Sequence, residues 1–490
     1  MGVLAVLTAC LWVYVLVRSV DVAFTTDESI SYELVHGLSA VAKTANDHWL
    51  NTLLMRVAQA VLGNAEWALR LPNVLALAIY GAASLWLVGS LRAPVGRLVC
   101  FALLLGDPFL LEFFGLARGY GLSMAFACAA VAVLFVLPHR GSGTRLVARF
   151  GLVGGLVAIG FYGNFSVLNF VLALLAASLL DVLIESARGR VAMSRRNWLA
   201  LVAVGAAIAA GLVPGVLRVE YLHAHHALFY GGNVGFVPDT IGRLVMTWGY
   251  VDVLRGVPLP GWALTISWIV AAVGIMALLY VAVRSVLDRR WERMHLAAVV
   301  LLISVLAAFL ERSVLGTPWP IDRVALYFIL AFAVLLGLVL DDIGSRRASG
   351  LASHMLTGAG VVVLLLTAAG VIRSANLTQA LTWRFDASSR AMTDRLIALE
   401  RDRPGTHQPM NFEVVYPRNF AFAYYRDHLG LSWLHIVIVS PGPLPIRYPP
   451  GGYAYDVPRG YPVKLPSGAY PAGRVPPDGT ELWLEPPGAG

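Results

Sequence analysis

Charged residues are scarce in this sequence: only 13% of its 490 residues are Asp, Glu, Lys or Arg, and lysine occurs at two positions only, 43 and 464. Soluble domains usually carry about 25% charged residues. In contrast, 58% of the residues are hydrophobic, and the mean hydropathy is +0.71. This balance excludes an ordinary water-soluble protein.

Cysteine is also scarce. The three cysteines, Cys10, Cys100 and Cys128, all lie inside apolar segments and lack the spacing of a metal site. Cysteines in such surroundings behave as small buried hydrophobic residues. The sequence therefore argues against a disulfide framework and against cysteine-bound metal.

Apolar segments, by comparison, recur along the chain. About 20 apolar residues are needed to cross the hydrocarbon core of a bilayer. We therefore predict a polytopic α-helical membrane protein with about eleven transmembrane helices. The predicted spans are 2–22, 67–90, 97–114, 119–137, 150–163, 166–184, 198–217, 261–283, 295–311, 324–340 and 352–372. The first segment lacks a basic start and a clear cleavage site, so we predict a retained span and no signal peptide.

The loops between these spans alternate between two compositions. One set holds 15 Lys or Arg in 53 residues: 92–97, 138–149, 185–197, 284–294 and 341–351. The other set holds 8 in 115: 23–66, 107–118, 162–166, 218–258 and 311–323. Basic loops face the cytoplasm, so we predict a cytoplasmic amino terminus and an outward-facing second set. The net charge of +8 is then a topology signal and does not predict a nucleic-acid partner.

The outward loops contain two amphipathic stretches, "ESISYELVHGLSAVAKTA" and "DHWLNTLLMRVAQAVLG", which we predict to lie in the membrane surface. After residue 372 the composition becomes richer in Pro, Gly and Tyr. We predict a transmembrane domain over 1–372 and a small extracytoplasmic α/β domain over 373–490. In the latter, "DASSRAMTDRLIALERDRPG" predicts a helix, "MNFEVVYP", "RNFAFAYYRDHLG" and "LHIVIVSP" predict a β-α-β unit, and the chain beyond Pro441 predicts extended loop.

The acidic pair Asp27–Glu28 follows the first span. Two adjacent carboxylates repel each other and lose solvation if buried, so their presence needs a reason. One interpretation is helix capping, since "TTDES" is rich in capping residues. Because only one of the two acids can cap well, the other is available to accept a proton.

Further ionisable residues gather at the predicted outer ends of the spans. Asp47 and His48 are compatible with a divalent metal but do not define a site. Arg70 is compatible with snorkelling to lipid headgroups. The histidines in "EYLHAHHALFYGG", His223, His225 and His226, suit phosphate, metal or a membrane interface equally.

Two arginines open predicted spans. Arg118 lies in "LGDPFLLEFFGLARGYGLSM", together with Asp107, Glu112 and Tyr120, and Arg323 lies in "ERSVLGTPWPIDRVALYF". Two guanidinium groups at a membrane face suit the phosphate of a lipid headgroup. These residues predict an outward site for a substrate with an anionic head and an apolar tail.

The sequence resembles the GT-C glycosyltransferases, in particular protein O-mannosyltransferases and the lipid A aminoarabinose transferase. The resemblance is carried by "TTDES", "NDHWLNTLLMRVAQAVLGNAEWALRLPNVLAL", "ARGYGLS" and "PIDRVALYF" in this order, within residues 1–345. Relatives commonly have "HPP" where this chain has "HWL", from His48 to Leu50.

This resemblance implies an inverting transfer of a sugar from a polyprenyl-phosphate donor to a lipid, polysaccharide or protein acceptor. Asp27 matches the family's essential acid and is then the base, with Glu28 completing the pair. The implied donor-phosphate contacts are Arg118, Arg323, His48 and Tyr120. A second acidic position falls on Asp107 or Glu112, while the need for a divalent metal stays open.

Three other functions are alternatives to the transfer of a single sugar. A flippase or transporter would place polar groups at mid-span, often in repeated halves, and this sequence shows clean spans and no repeat. A structural assembly protein would leave Asp27 and Glu28 without a role. A ligase for whole oligosaccharides would concentrate function in a large late outer loop. We expect a bacterial inner membrane as the location, with membrane lipids as neighbours.

Overall fold

The structure is a computed structural model that describes residues 1–37, 45–137, 142–252, 257–288, 291–346, 350–402, 409–439, 452–458, 465 and 468–484. The described chain is mainly helical, with a small sheet near its carboxyl end. The α-helices are α1 (Gly2–Asp21), α2 (Thr26–Val35), α3 (Trp49–Leu62), α4 (Glu66–Gly89), α5 (Pro94–Leu105), α6 (Pro108–Phe114), α7 (Gly119–Val136), α8 (Gly143–Gly163), α9 (Leu168–Ala187), α10 (Arg195–Ala224), α11 (Gly242–Trp248), α12 (Gly261–Asp288), α13 (Arg293–Leu310), α14 (Tyr327–Arg346), α15 (Leu351–Ser374), α16 (Ser389–Arg401) and α17 (Asn419–His428). The strands are β1 (Met410–Val415), β2 (Leu434–Val439), β3 (Gly452–Val457), β4 (Tyr470–Val475) and β5 (Thr480–Leu484).

Within the described residues, ten helical segments are long and apolar enough to cross a membrane, and a bent pair of helices brings the number to eleven. The predicted polytopic architecture is confirmed. The protein is an integral membrane protein.

The predicted third span, 97–114, is the bent pair. It is divided into α5 and α6, whose axes differ by 56°. The break has a local cause: Asp107 caps α6 by accepting the Phe109 N–H at 2.9 Å, and Pro108 occupies the first turn, where its missing N–H costs nothing. The sequence "GDP" therefore ends one helix and starts another within a single apolar stretch.

The chain divides into two compact units. The first unit comprises Met1–Val15, Lys43–Asn51 and Pro72–Ala375. In it α7 packs against α8, α8 against α9 and α10, and α5 against α14 and α15. A side chain on Gly119 would clash with the carbonyl oxygen of Gly163. This glycine therefore lets the start of α7, immediately after Arg118, approach the end of α8.

The second unit comprises Leu16–Ala42, Thr52–Leu71 and Asn376–Gly490. Its described strands form one five-stranded sheet in the order β2-β1-β3-β5-β4. β1 is parallel to both β2 and β3, while β5 is antiparallel to β3 and β4. The predicted β-α-β unit and the helix after residue 386 are present as β1-α17-β2 and α16. Their apolar faces, including Met392, Phe412 and Phe422, form one buried core.

The predicted extended loop after Pro441 is wrong, because three of the strands lie there. The burial pattern of β5 alternates strictly along "TELWL", as expected for a strand with one buried face. The carboxyl-terminal chain therefore completes the sheet. The proposed domain boundary at residues 372 and 373 stays a prediction.

The two amphipathic stretches differ in outcome. α3 exposes Leu53, Val57 and Val61, spaced four residues apart, as expected of a helix with an apolar outer stripe. α2 instead packs on α17 inside the second unit, where Tyr32 contacts Tyr424 edge to face with ring centroids 5.1 Å apart. The prediction that this stretch lies in the membrane surface is therefore wrong for α2. Its later part, 38–44, lies outside the described residues.

Candidate functional site

The acidic pair lies in the first turn of α2. Thr25 is the N-cap: its side chain accepts the Glu28 N–H at 3.4 Å, while the Glu28 carboxylate accepts the Thr25 N–H at 2.9 Å. This reciprocal arrangement is a capping box, which satisfies two backbone donors that the helix leaves unpaired. Of the two acids, Glu28 is thus the one that caps.

Glu28 also forms a buried ion pair. Arg70, from the first turns of α4, donates Nε to Glu28 Oε1 and Nη2 to Oε2, both at 2.7 Å. Its other N–H groups go to the carbonyl oxygens of Ser19 (3.0 Å), Val22 (2.7 Å) and Ala23 (3.0 Å). All five donors of the guanidinium are therefore used. Both side chains are fully buried. Arg70 therefore holds the segment before α2 and does not extend to lipid headgroups.

Residues of the carboxyl-terminal chain hold the same segment. Arg390 forms an ion pair with Glu66 and donates to the carbonyl oxygens of Val20 (2.9 Å) and Asp21 (3.1 Å). The Tyr425 hydroxyl accepts the Phe24 N–H at 2.8 Å and donates to Glu66 at 2.6 Å. No sequence pattern predicts these contacts, because their partners lie more than 300 residues apart in the chain.

Asp386 completes the setting at the start of α2. Its carboxylate accepts the Thr26 N–H at 2.6 Å and the Thr26 hydroxyl at 3.1 Å. Burial, together with the nearby charge of Asp27, raises the pKa of Asp386 to about 7, although the Thr26 hydrogen bonds and Arg418 oppose this. Asp27 itself is only partly buried. We name this set of contacts around residues 20–28 the α2 clamp.

The first unit contains the second group of predicted site residues. Arg118 precedes α7 and is fully buried. Its Nη2 donates to the side-chain oxygen of Asn46 at 3.0 Å, and its guanidinium lies 5.9 Å from the centroid of the Tyr120 ring. A further contact to the segment before α7 comes from Asn51, which donates to the carbonyl of Ala117 at 2.9 Å.

Arg323, which lies 203 residues later in the chain, contacts the same tyrosine. Its Nε donates to the Tyr120 hydroxyl at 3.2 Å, and its guanidinium lies 4.3 Å from the centroid of the Tyr230 ring. The Tyr230 hydroxyl donates to Asp322 at 2.9 Å. Asp322 has a φ of +45°, a strained backbone conformation of the kind that collects at functional sites.

His48 lies beside this group, with its ring centroid 5.1 Å from that of Tyr120, and is 2% exposed. Burial lowers the pKa of His48 well below its ordinary value, and the charges of Arg118 and Arg323 lower it further. The imidazole is therefore neutral. We call His48, Arg118, Tyr120, Tyr230 and Arg323 the arginine cluster. Tyr230 was not among the predicted site residues, although it directly precedes the pair Gly231–Gly232 in a loop of the expected outer set.

The remaining ionisable residues singled out in the sequence have defined partners or positions in the structure. Asp107 is the buried cap of α6. Glu112 is buried and accepts the Tyr250 hydroxyl at 2.6 Å. Asp47 forms an ion pair with Arg218 at 3.3 Å. His225 stacks on Tyr221 with centroids 4.0 Å apart.

Across the described part of the chain, no group of three or more His, Cys, Asp or Glu side chains is arranged to hold a metal ion. The alternatives left open for Asp47, His48 and the later histidines are thus not supported by a common ligand set there. The need for a metal stays open.

The architecture defines a class: a polytopic helical membrane protein with a small sheet domain. The crystal structure of ArnT from Cupriavidus metallidurans in the apo state matches with a TM-score of 0.50 and 14% identity, over 89% of this chain and 85% of that chain. The same protein bound to undecaprenyl phosphate matches with a TM-score of 0.47 and 14% identity, over 98% and 97% of the two chains. No protein-family model and no curated protein matches the sequence. The GT-C-like fold implied by the sequence resemblance is confirmed.

Proposed function

We propose that this protein is a membrane glycosyltransferase that moves a sugar from a polyprenyl-phosphate-linked donor to an acceptor hydroxyl. The observation that carries the proposal is the arginine cluster. It draws His48, Arg118 and Arg323 from three of the sequence motifs that resemble the GT-C enzymes, and gathers them around Tyr120. The ArnT-like fold supports the same class of enzyme.

The chemistry of the arginine cluster suits a lipid phosphate. Guanidinium groups donate paired hydrogen bonds to phosphate oxygens, and they keep their charge at any physiological pH. Aromatic rings beside Arg118 and Arg323 hold the guanidinium groups in place through cation–π contact. The neutral His48 adds a hydrogen-bonding group without adding a third positive charge. In this proposal the cluster binds the donor phosphate and stabilises it as the leaving group.

Asp27 is proposed as the general base. The acceptor oxygen attacks the anomeric carbon, the bond from that carbon to the donor phosphate oxygen breaks, and the acceptor proton passes to the Asp27 carboxylate. A single displacement of this kind inverts the anomeric centre and needs one base. The products are the glycosylated acceptor and the free polyprenyl phosphate. Glu28 takes a supporting role, because its oxygens bind Arg70 and the start of α2.

We further propose a bacterial inner membrane as the location, with a cytoplasmic amino terminus and the carboxyl-terminal domain on the outer face. Impermeant maleimide labelling of intact cells tests this orientation. A cysteine replacing exposed Asp394 should react without permeabilisation. Labelling that requires permeabilisation would contradict the orientation.

The experiment for the activity uses purified wild-type protein and Asp27→Asn in proteoliposomes with polyprenyl-phosphate sugars as donors. Envelope glycolipids, polymers and secreted proteins from a deletion strain, compared by mass spectrometry, identify the acceptor to supply. We expect transfer of one sugar by the wild type. We expect a loss of about 10²–10⁴-fold in kcat for Asp27→Asn, the usual contribution of a general base.

The alternatives give different products. Transfer of a whole oligosaccharide in the same assay would indicate a ligase. Movement of the intact donor across the vesicle membrane without transfer would indicate a flippase. Unchanged kcat in Asp27→Asn would overturn the assignment of the base, whereas equal losses of folding and activity would support a purely capping role for the acidic pair.

A further inference from the structure

Thr26, the first residue of α2, lies one position before the proposed base and is held by Asp386 of the carboxyl-terminal domain. Asp386 ends a short 3₁₀-helix, Arg384–Asp386, and is 1% exposed. Both of its oxygens accept hydrogen bonds from Thr26, one from the backbone N–H at 2.6 Å and one from the hydroxyl at 3.1 Å. Asp27 is the next residue in the chain.

We propose that Asp386 is a positioning residue for Asp27: by binding both donors of Thr26, it fixes the first turn of α2 and thereby the direction of the base. This inference rests on the proposed function of Asp27. It gives the carboxyl-terminal domain a part in the reaction, although none of its residues needs to touch the substrate.

The rest of the α2 clamp shows why a further constraint is needed at this point. Arg70 binds carbonyl oxygens as far as Ala23, and Tyr425 binds the N–H of Phe24. The capping box then joins Thr25 to Glu28. Without Asp386, the N–H of Thr26 would lose its partner. Thr26 directly precedes Asp27, so its backbone sets the position of the base.

Asp386 is itself held in place by a buried polar network. Its charge interacts with Arg418, which precedes α17. Arg418 forms an ion pair with Asp456 of β3 at 3.0 Å and donates to the Ser388 hydroxyl at 3.0 Å. Ser388 bonds to Thr480 of β5 at 3.2 Å. The network therefore links the sheet to the first turn of α2, and buried networks of this kind rigidify the groups they join.

A carboxylate placed here for folding alone would be a poor choice. Burial disfavours its charged form, and the charge of Asp27 adds repulsion. An amide at this position can still accept one hydrogen bond from Thr26 and removes the buried charge. We therefore expect Asp386→Asn to leave the folded protein as stable as the wild type or more so at pH 8. Loss of activity in a variant that has kept its stability separates positioning from folding.

The test uses full-length protein in proteoliposomes with four variants: Asp386→Asn, Thr26→Val, Thr26→Ser and the exposed control Asp394→Asn. Misplacing a reacting group by about 1 Å costs on the order of 10²-fold in rate. We expect kcat to fall about 10–10²-fold in Asp386→Asn and less in Thr26→Val, with donor KM within about twofold of the wild type. Thr26→Ser, which keeps the hydroxyl, should restore most of kcat, and Asp394→Asn should match the wild type.

Hydrogen exchange supplies a readout that does not depend on activity. In Asp386→Asn the amides of residues 24–32 should exchange faster, while those of α16 keep their wild-type rates. Unchanged exchange in this peptide would overturn the inference, as would a rise in donor KM with kcat unchanged. If Asp27→Asn is inactive and Asp386→Asn fully active, only the positioning role fails. If Asp27→Asn is fully active, the proposed base fails first.

Discussion

The α2 clamp and the arginine cluster both contain buried or partly buried arginines, but the arginines have different partners in the two regions. In the clamp, Arg70 donates all five of its hydrogen bonds to a carboxylate and to backbone carbonyl oxygens. In the cluster, Arg118 and Arg323 bond to an amide oxygen and a hydroxyl, and both guanidinium groups lie against tyrosine rings. The clamp has the composition of a structural joint, while the cluster is the anion site that we propose.

The difference lies in how the charge is compensated. A buried arginine whose carboxylate partner is removed is left with an uncompensated charge in a low-dielectric interior. The guanidinium groups of the cluster are oriented by aromatic faces, and in the proposed function they donate to a phosphate. The two regions should therefore fail in different ways when altered.

The largest effect is expected in the clamp. Arg70→Met removes the cation that is paired with the buried Glu28 carboxylate, together with the hydrogen bonds from Arg70 to three carbonyl oxygens. Breaking a buried ion pair costs about 3–5 kcal/mol. We expect loss of monodisperse protein on size-exclusion chromatography and a lower thermal midpoint in detergent. Arg401→Ala, at an exposed position of α16, serves as the control. A normal midpoint in Arg70→Met would show that the clamp is not needed for folding.

A pH effect of similar kind is expected within the second unit. Burial raises the pKa of Asp386 to about 7 and that of Asp456 to about 6. Because both lie above the ordinary value of 3.8, the folded state binds these protons more tightly than the unfolded state. The resulting stability is fully present below pH 4 and is lost as the pH rises through 6 and 7.

The measurement is the free energy of unfolding of the full chain in detergent between pH 5 and pH 8. We expect the wild type to lose about 2–4 kcal/mol over this range, since one unit of pKa shift corresponds to about 1.4 kcal/mol. Asp386→Asn should lose less, because one of the two groups is gone. Equal slopes in both proteins would assign the pH dependence to other residues.

Much of this comparison was within reach of the sequence, and the reasons are local. Apolar length predicts spans, and "TTDES" predicts the cap at Thr25. Pairing of Glu28 with Arg70 was not predictable, because the other partners of Arg70 are backbone oxygens 47 to 51 residues away. The strands after Pro441 were missed since frequent Pro and Gly hide short alternating segments. Residues 16–42 and 376–490 belong to one unit. Neither segment has a sequence pattern that predicts this association.

The cluster should fail by losing ligand affinity and not by unfolding. Arg118→Ala removes one guanidinium from the proposed phosphate site, and hydrogen bonds to charged groups contribute about 1.5–3 kcal/mol. We expect the Kd for undecaprenyl phosphate, measured by calorimetry in detergent, to rise about 10–100-fold. Arg118→Lys should fall between, because it keeps the charge without the paired donors.

This measurement has two controls, a variant and a ligand. Arg145→Ala, at an exposed position near the start of α8, removes one arginine elsewhere in the same unit and should leave the Kd unchanged. Uncharged undecaprenol should bind wild type and Arg118→Ala equally. Unchanged affinity of Arg118→Ala for the phosphate would remove this residue from the site.

The smallest effect is expected at Tyr230, where two substitutions distinguish the contribution of the ring from that of the hydroxyl. Tyr230→Phe keeps the aromatic face under Arg323 and deletes the hydrogen bond to Asp322, a change of about 1 kcal/mol. Since the ring is what lies against the guanidinium at 4.3 Å, the Kd for undecaprenyl phosphate should rise less than about fivefold, whereas Tyr230→Ala should resemble Arg323→Ala. If Tyr230→Phe weakened binding as much as Tyr230→Ala, the strained Asp322 would be the element that sets Arg323, and the cluster would depend on a hydrogen-bonded joint of the same kind as the clamp.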